Sequence, residues 1–411
     1  MESGRSFFSR KGDLMKRVGI ICEYNPLHSG HAYQMEQIRR QDPDAAIVCL
    51  MSGHATQRGE LAIADRYTRA EMAVCCGANV VLELPYPYSA ASAAYFAGAG
   101  VAVLDALGVE QLSFGCECED VSLLERAADL TQNEAFLSCV KERQRKGEGS
   151  AQAYFAELCE RLGGDGYRFL ANDILALEYI RAIRVIDSQM RPAPILRKGS
   201  AYRAQETEVG KHPSATALRA LLSQGKINDS LIFVPGKAKC TLKKSIEDGM
   251  SPIDLRKIEA SVLTFFRLQD PASLERIAEM QGGLSYRLHD AAMRACSCAE
   301  MIAMASAKSY PTARLRRAIL YALTGVSAQD LMTPPAYLNL LATDQIGRGL
   351  IREWKKCSPI PVVAKPADAA AISEAAKRQF ALAMSLDALF TMAMPQVYRA
   401  DTFLRMSPRV F

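Results

Sequence analysis

The chain has 411 residues, of which 49% are hydrophobic and 23% charged, with a net charge of +5. This is the balance of a globular protein with a sizeable core, of a length that suggests about two domains. No apolar run approaches the roughly 20 residues of a bilayer span, and Arg5, Arg10 and Lys11 precede no apolar signal-peptide stretch, so the expectation is a cytoplasmic protein without a membrane partner.

Residues 1–14 read as a disordered extension, with Met15 as the effective start of the fold. Residues 17–22 form a buried strand, and a turn-rich segment from Glu23 to Gly30 breaks at Asn25-Pro26. A helix then runs from His31 to Arg40, followed by a strand over 46–51, a helix over 64–76 and a strand over 79–84 that Pro85 ends. A small-residue helix covers 89–107 and a strand covers 111–114. Residues 120–165 read as a helical insertion, after which a helix over 172–186, a strand over 193–197 and a helix starting at Ser214 resume the pattern. Beyond 228 no strand alternation is evident. Helical periodicity recurs over 253–267, 271–280, 286–306, 311–324 and 369–388.

Short apolar strands alternating with helices predict an α/β fold: a Rossmann-like parallel sheet over 15–228, followed by a mainly helical domain over 229–411. In such sheets ligands bind at the carboxyl ends of the strands. The punctuated loops at 23–30, 52–59, 85–89 and 115–118 fall there. The twelve cysteines include no Cys-x-x-Cys pair and read as reduced thiols, mostly core fillers, so no metal ligand is named.

Three of the five histidines lie within residues 28–54, and His28 and His31 bracket Gly30 at a strand-to-helix turn. Such a pair can donate to phosphate oxygens, while glycine allows close approach and the free amides of the first helical turn add partial positive charge. Adenylyl transfer gathers negative charge on the α-phosphate and the departing pyrophosphate, and fixed donors aimed there lower its barrier. Two surface histidines beside a turn are the plainer reading of the same residues. Neither a Gly-x-x-x-x-Gly-Lys-Ser/Thr loop nor a Gly-x-Gly-x-x-Gly follows the first strand, which disfavours P-loop and nicotinamide chemistry.

Ser214, Thr216 and Arg219 place hydroxyls and a guanidinium at a helix start, suited to a β- or γ-phosphate or equally to an ordinary cap. Arg197 and Lys198 at a strand end, and Arg58, Arg66 and Arg69 beyond the second strand, are further cations for phosphate or an RNA backbone. Arg314, Arg316, Arg317, Arg348, Arg352, Lys355 and Lys356, with Tyr310 and Trp354, form a candidate RNA-facing patch that a solvated helix face explains as well.

The run Val18-Gly19-Ile20-Ile21-Cys22-Glu23-Tyr24-Asn25-Pro26-Leu27-His28-Ser29-Gly30-His31 resembles the opening of the bacterial tRNA(Met) cytidine acetate ligase family. Met51-Ser52-Gly53-His54, Gln57-Arg58-Gly59-Glu60, Glu83-Leu84-Pro85-Tyr86, Phe114-Gly115, Asn172 with Ile174-Leu175, Arg197 and Ser214 to Arg219 follow in order. The resemblance implies a fold similar to nucleotidyltransferases and class I aminoacyl-tRNA synthetases. It implies a two-step reaction: acetate attacks ATP to give acetyl-adenylate, and the N4 amine of the wobble cytidine of elongator tRNA(Met) then takes the acetyl group. By the same resemblance the ATP contacts are Ile21, Cys22, Glu23, Tyr24, Asn25, Pro26, Leu27, His28, Ser29, Gly30, His31, Ala32, Tyr33, Gln34, Gly115, Asn172, Arg197 and Lys198. His28, His31, Ser214, Thr216 and Arg219 are the candidate catalytic residues, and magnesium is expected with ATP. Two motifs depart from the family pattern: Leu27-His28-Ser29-Gly30-His31 stands for the usual Phe-His-Asn-Gly-His, and Asn172-Asp173-Ile174-Leu175-Ala176 for the usual Asn-Asn-Ile-Leu-Gly, so that Asp173 brings a carboxylate toward the nucleotide. Acetate needs no nucleophilic side chain, consistent with the lack of an obvious Ser-His-Asp or Cys-His arrangement. A nucleotidyltransferase making a dinucleotide-type cofactor and a non-catalytic RNA-binding protein are the alternatives.

Overall fold

A computed structural model describes residues 15–163, 169–197 and 214–411; the extension read over 1–14 and Lys198 lie outside the described residues. The first half runs β1 (Arg17–Cys22), α1 (Ser29–Gln41), β2 (Ala46–Ser52), α2 (Arg66–Cys75), β3 (Val80–Leu84), α3 (Ala93–Ala106) and β4 (Gln111–Cys116). Three helices, α4 (Val121–Leu130), α5 (Glu134–Arg145) and α6 (Ser150–Arg161), form the predicted insertion. The unit resumes with α7 (Ala171–Val185), β5 (Arg191–Leu196) and α8 (Ala215–Ser223).

These five strands are parallel in the order β5-β4-β1-β2-β3. Chain order runs outward from β1 in both directions, so the topological switch point lies between β1 and β4. Both sheet faces are covered, which is why the strands read as unbroken apolar runs. Val18, Ile20 and Cys22 of β1 face one core with α1, α2 and the helices of the second half. Ile21 of β1, Val48 and Leu50 of β2 and Leu82 of β3 face the other, with α3, α4 and α7.

The second half is helical as expected: α9 (Ile227–Leu231), α10 (Gly236–Glu247), α11 (Arg256–Leu268), α12 (Pro271–Leu274), α13 (Leu284–Arg294), α14 (Cys298–Ala305), α15 (Thr312–Thr324), α16 (Ala328–Met332), α17 (Gln345–Cys357) and α18 (Glu374–Ala393). The helix read over 286–306 is two, because the Ser297 side chain accepts the Glu300 amide at 3.1 Å and starts α14 afresh. The absence of strands beyond 228 does not hold. Strand β6 (Leu338–Thr343) pairs antiparallel with β3 and extends the sheet, carrying the short strands β7 (Val362–Val363) and β8 (Arg409–Val410). Its six residues are all buried, so the segment lacks the alternation that separates a strand from a buried helical turn.

A buried polar network ties these late elements to the early ones. Asp387 of α18 accepts from both terminal nitrogens of Arg66 at 2.7 and 2.9 Å and pairs with His54 Nδ1 at 2.7 Å. Asn339 of β6 donates to Glu83 of β3 at 2.8 Å.

Candidate active site

A cleft of about 410 Å³ opens at the carboxyl ends of β1, β4 and β5, at the switch point. Beyond β1 the backbone turns sharply, with Tyr24 at a left-handed φ of 46°. A tyrosine adopts that conformation only where its surroundings enforce it. Here the ring is buried, its hydroxyl lies 3.5 Å from Cys49 Sγ, and it packs edge-on to His31 with centroids 5.0 Å apart.

His28 and His31 are organised reciprocally. The Gly30 amide donates to His28 Nδ1 at 3.1 Å, and the His28 amide donates to His31 Nδ1 at 3.3 Å. This caps α1 with histidines in the roles that serine and glutamate usually fill. The rings stack with centroids 3.9 Å apart. Because each Nδ1 accepts a hydrogen bond, the network assigns the proton of each neutral ring to Nε2. Burial, then the neighbouring His28 and Arg197, hold His31 well below the usual imidazole range, so it is neutral near pH 7.

The free helix amides expected at this turn are not free. The Ser29 amide donates to Phe233 O at 2.9 Å, that of Gly30 to His28 Nδ1, and those of His31 and Ala32 to His28 O at 2.9 and 3.2 Å. Anion binding here falls to imidazole N–H groups, cationic side chains and the helix dipole.

Of the predicted ATP contacts, Ile21, Cys22, Glu23, Tyr24, Asn25, His28, Gly30, His31, Tyr33, Gln34, Gly115, Asn172 and Arg197 line the cleft. Pro26, Leu27, Ser29 and Ala32 do not, and Leu27 is a core residue. Gly115 lies against the Arg197 side chain, where a β-carbon would make ordinary contact at 3.4 Å from Cγ. Ser214, Thr216 and Arg219 also line the cleft. The Ser214 hydroxyl caps α8 by accepting the Ala217 amide at 3.2 Å, while Arg219 donates to Asn25 O at 2.9 Å and to Thr216 Oγ1 at 3.2 Å.

Asp173 does not face the nucleotide side. It is fully buried and accepts the Glu117 and Cys118 amides at 2.8 and 2.9 Å, stitching the end of β4 to the start of α7, while Asn172 donates to Glu117 Oε1. The carboxylate adds a second acceptor, Oδ2, which takes the Leu170 amide at 3.2 Å at the start of α7.

Arg58 lines the cleft, but Arg66 and Arg69 are buried elsewhere. Arg66 serves Asp387. Arg69 donates to Glu23 O at 2.6 Å and Ser52 O at 3.0 Å, neutralising carbonyls at the ends of β1 and β2. Sequence alone does not separate such a guanidinium from a solvated one. The single basic patch over 311–360 also dissolves. Arg317 pairs with Glu279 at 2.7 Å, Trp354 is 2% exposed, and α15 and α17 pack on opposite faces of the sheet. Of the cysteines, Cys22, Cys49, Cys116 and Cys118 are buried, but Cys240, Cys296 and Cys357 are exposed, so core filling explains only some of them.

Residues from the helical half that local motifs do not reveal also reach the site. Ala313 of α15 lines the cleft, and Arg316 pairs with Glu60, which also lies 3.9 Å from Arg219. The Thr56–Glu60 turn is pressed onto α15. Gly59 has φ of 75°, and a β-carbon there would lie 2.7 Å from Arg316 C and 2.8 Å from Arg317 Cα.

A parallel sheet with two stacked histidines at its switch point, flanked by arginines, defines a nucleotidyl-transferase-type protein. Comparison with known proteins narrows this. The family model described as HIGH Nucleotidyl Transferase matches residues 15–402. A tRNA(Met) cytidine acetate ligase from Syntrophotalea carbinolica is 34% identical over 360 residues, covering 85% of this chain and 84% of the relative. One from Caldanaerobacter subterraneus is 31% identical, covering 86% and 89%. A crystal structure of Thermotoga maritima TmcAL bound with alpha-thio ATP superimposes with a TM-score of 0.88 at 27% identity, covering 97% of this chain and all of that one; its apo form gives 0.90 at 28%. The chain belongs to the HIGH nucleotidyl transferase family and, within it, to the tRNA(Met) cytidine acetate ligases.

Proposed function

We propose that this protein activates acetate with ATP and transfers the acetyl group to the N4 amine of the wobble cytidine of elongator tRNA(Met), giving N4-acetylcytidine. The observation that carries the reading is the reciprocal capping of His28 and His31, which orients two Nε2–H donors beside Arg197, Arg219 and Asn172 in one cleft. An acetate oxygen attacks the α-phosphorus and pyrophosphate departs. The cleft contributes positioning and stabilisation of the charge that develops on phosphate oxygens. A neutral His31 suits this role, because its N–H polarises the phosphate without competing for the proton of an acid.

Among the described residues no three His, Cys, Asp or Glu side chains converge into a cation cage. Magnesium is held mostly by phosphates and water in nucleotide sites, so the ion is assigned to the incoming ATP. The chain divides at residue 228, and the helical part from 229 contacts the tRNA. On that part, Arg316 of α15 lies at the cleft rim, paired with Glu60, and offers a cation for a phosphate backbone entering the site. No described helix is long and apolar enough to cross a membrane.

The test is incubation with ATP, labelled acetate and total tRNA, with nucleoside analysis for acetylated cytidine and a parallel assay of acetate-dependent ATP–pyrophosphate exchange. Exchange and labelled N4-acetylcytidine are expected; no exchange overturns the reading.

A further inference from the structure

The second step has a proton to dispose of. As the N4 lone pair attacks the acetyl carbon of acetyl-adenylate, a C–N bond forms and the acyl C–O bond to phosphate breaks. AMP leaves with that electron pair, and the amine nitrogen must shed a proton. The lone pair of an exocyclic amine on a pyrimidine is delocalised, so a positioned base accelerates its attack.

From the cleft geometry we infer that the Glu23 carboxylate is this base, an assignment that rests on the function proposed above. His28 and His31 cannot serve, because both Nδ1 atoms are occupied by backbone amides and Nε2 already carries the proton. Tyr24 and Tyr179 line the cleft as phenols whose ionisation burial pushes up, which makes them donors. Glu60 is held between Arg316 and Arg219. Glu23 stands at the carboxyl end of β1 with its backbone clamped by Arg69 at 2.6 Å and its Oε1 accepting the Gln57 amide at 2.8 Å. Among the described residues it is the remaining carboxylate of the cleft. Burial pushes its carboxyl above the ordinary range, with the Gln57 amide, Arg219 and Arg58 offsetting part of the rise and Glu60 adding to it. The charged and titratable groups packed around it are therefore Arg58 and Glu60 of the Thr56–Glu60 turn, Arg69 of α2, Arg219 of α8 and Tyr179 of α7.

The test is Glu23→Gln, which keeps the size of the side chain and an acceptor for the Gln57 amide. Acetate-dependent ATP–pyrophosphate exchange reports the first step. Single-turnover transfer from preformed acetyl-adenylate to tRNA reports the second. Because Glu23 also lines the nucleotide cleft, exchange is expected to fall by up to about tenfold while transfer falls about 10²–10⁴-fold, so that the loss in transfer exceeds the loss in exchange by at least about tenfold. The wild-type transfer rate is expected to rise with pH through one ionisation that E23Q lacks. Transfer at the wild-type rate in E23Q means that phosphate or water takes the proton, and overturns the inference alone. Equal loss of both steps means that Glu23 serves nucleotide binding, and also overturns it. Absence of exchange in the wild type overturns the functional reading, and the inference with it.

Discussion

Replacing His28 separates two tasks that one ring performs. Its Nδ1 accepts the Gly30 amide at 3.1 Å and so caps α1. Its Nε2–H is one of the two imidazole donors assigned to the phosphates. Asparagine is among the best N-cap residues and keeps an acceptor near Nδ1, but its amide does not extend to the position of Nε2; alanine supplies neither group. Losing a cap costs about 1 kcal/mol. Losing a fixed donor to transition-state charge costs about 3–4 kcal/mol, or about 10²–10³ in rate. His28→Ala is therefore expected to lower both stability and exchange by these amounts, and His28→Asn to lower exchange as far at close to wild-type stability. Urea unfolding midpoints and acetate-dependent ATP–pyrophosphate exchange at saturating ATP measure the two effects. An H28N protein exchanging within about fivefold of wild type refutes the donor role, and an H28A protein as stable as H28N refutes the cap.

Asp387→Asn leaves Arg66, 3% exposed, facing only the more distant Glu83 at 3.5 Å, and is expected to cost about 3 kcal/mol. The double variant Arg66→Met/Asp387→Leu removes both charges and should recover most of that loss in urea denaturation; a double variant no more stable than the single would show that charge pairing is not the cause. Acid should destabilise the protein. Burial holds His54 and His31 below the usual 6.5, so folding stability is full above about pH 6.5 and falls below it, as the unfolded chain takes up protons the folded one refuses. Burial raises the Asp387 carboxyl, but Arg66 and His54 outweigh it and hold the group low, so its contribution is lost only on further acidification below the ordinary carboxylate range. Thermal midpoints between about pH 7.5 and about pH 5.5 check the first part, and a flat or rising trend on acidification contradicts it. Gly59→Ala forces a β-carbon into the α15 backbone at a left-handed φ and should cost more than about 2 kcal/mol; a variant with wild-type unfolding behaviour would mean that the turn does not need its contact with α15.

Elements whose signal is local were legible in the sequence. The strand over 17–22, the turn after it and the helix carrying His31 follow from apolar runs and breaker residues, and the structure places them within a residue or two. The same holds for the His28/His31 pair, because capping is a matter of neighbours three residues apart. What sequence leaves open depends on distant partners. Arg69 looks like any surface cation until the carbonyls of Glu23 and Ser52 surround it. Trp354 looks like a stacking platform until Leu107 O accepts its indole N–H at 2.9 Å. Asp173 looks like a charge intruding on the nucleotide until two amides of the β4 exit converge on it. Arg316 gives no sign that it crosses to Glu60, since the two meet only once α15 has docked.

Strand β6 has a consequence for how the chain is made. The Thr343 hydroxyl bonds to the Asn79 carbonyl across 264 residues of sequence. During synthesis β3 emerges with its outer edge bare, a strand of Val80, Val81, Leu82, Glu83 and Leu84 that templates association with other chains until its neighbour arrives. A ribosome adding about 5–20 residues per second leaves that edge uncovered for tens of seconds. A transcript truncated between residues 234 and 337 yields a chain that keeps the His28/His31 turn together with the Phe233 carbonyl that accepts the Ser29 amide, but a sheet unable to close. Shortening the chain therefore exposes the β3 edge to aggregation, and a cut before α15 also removes the Ala313 and Arg316 contacts to the cleft.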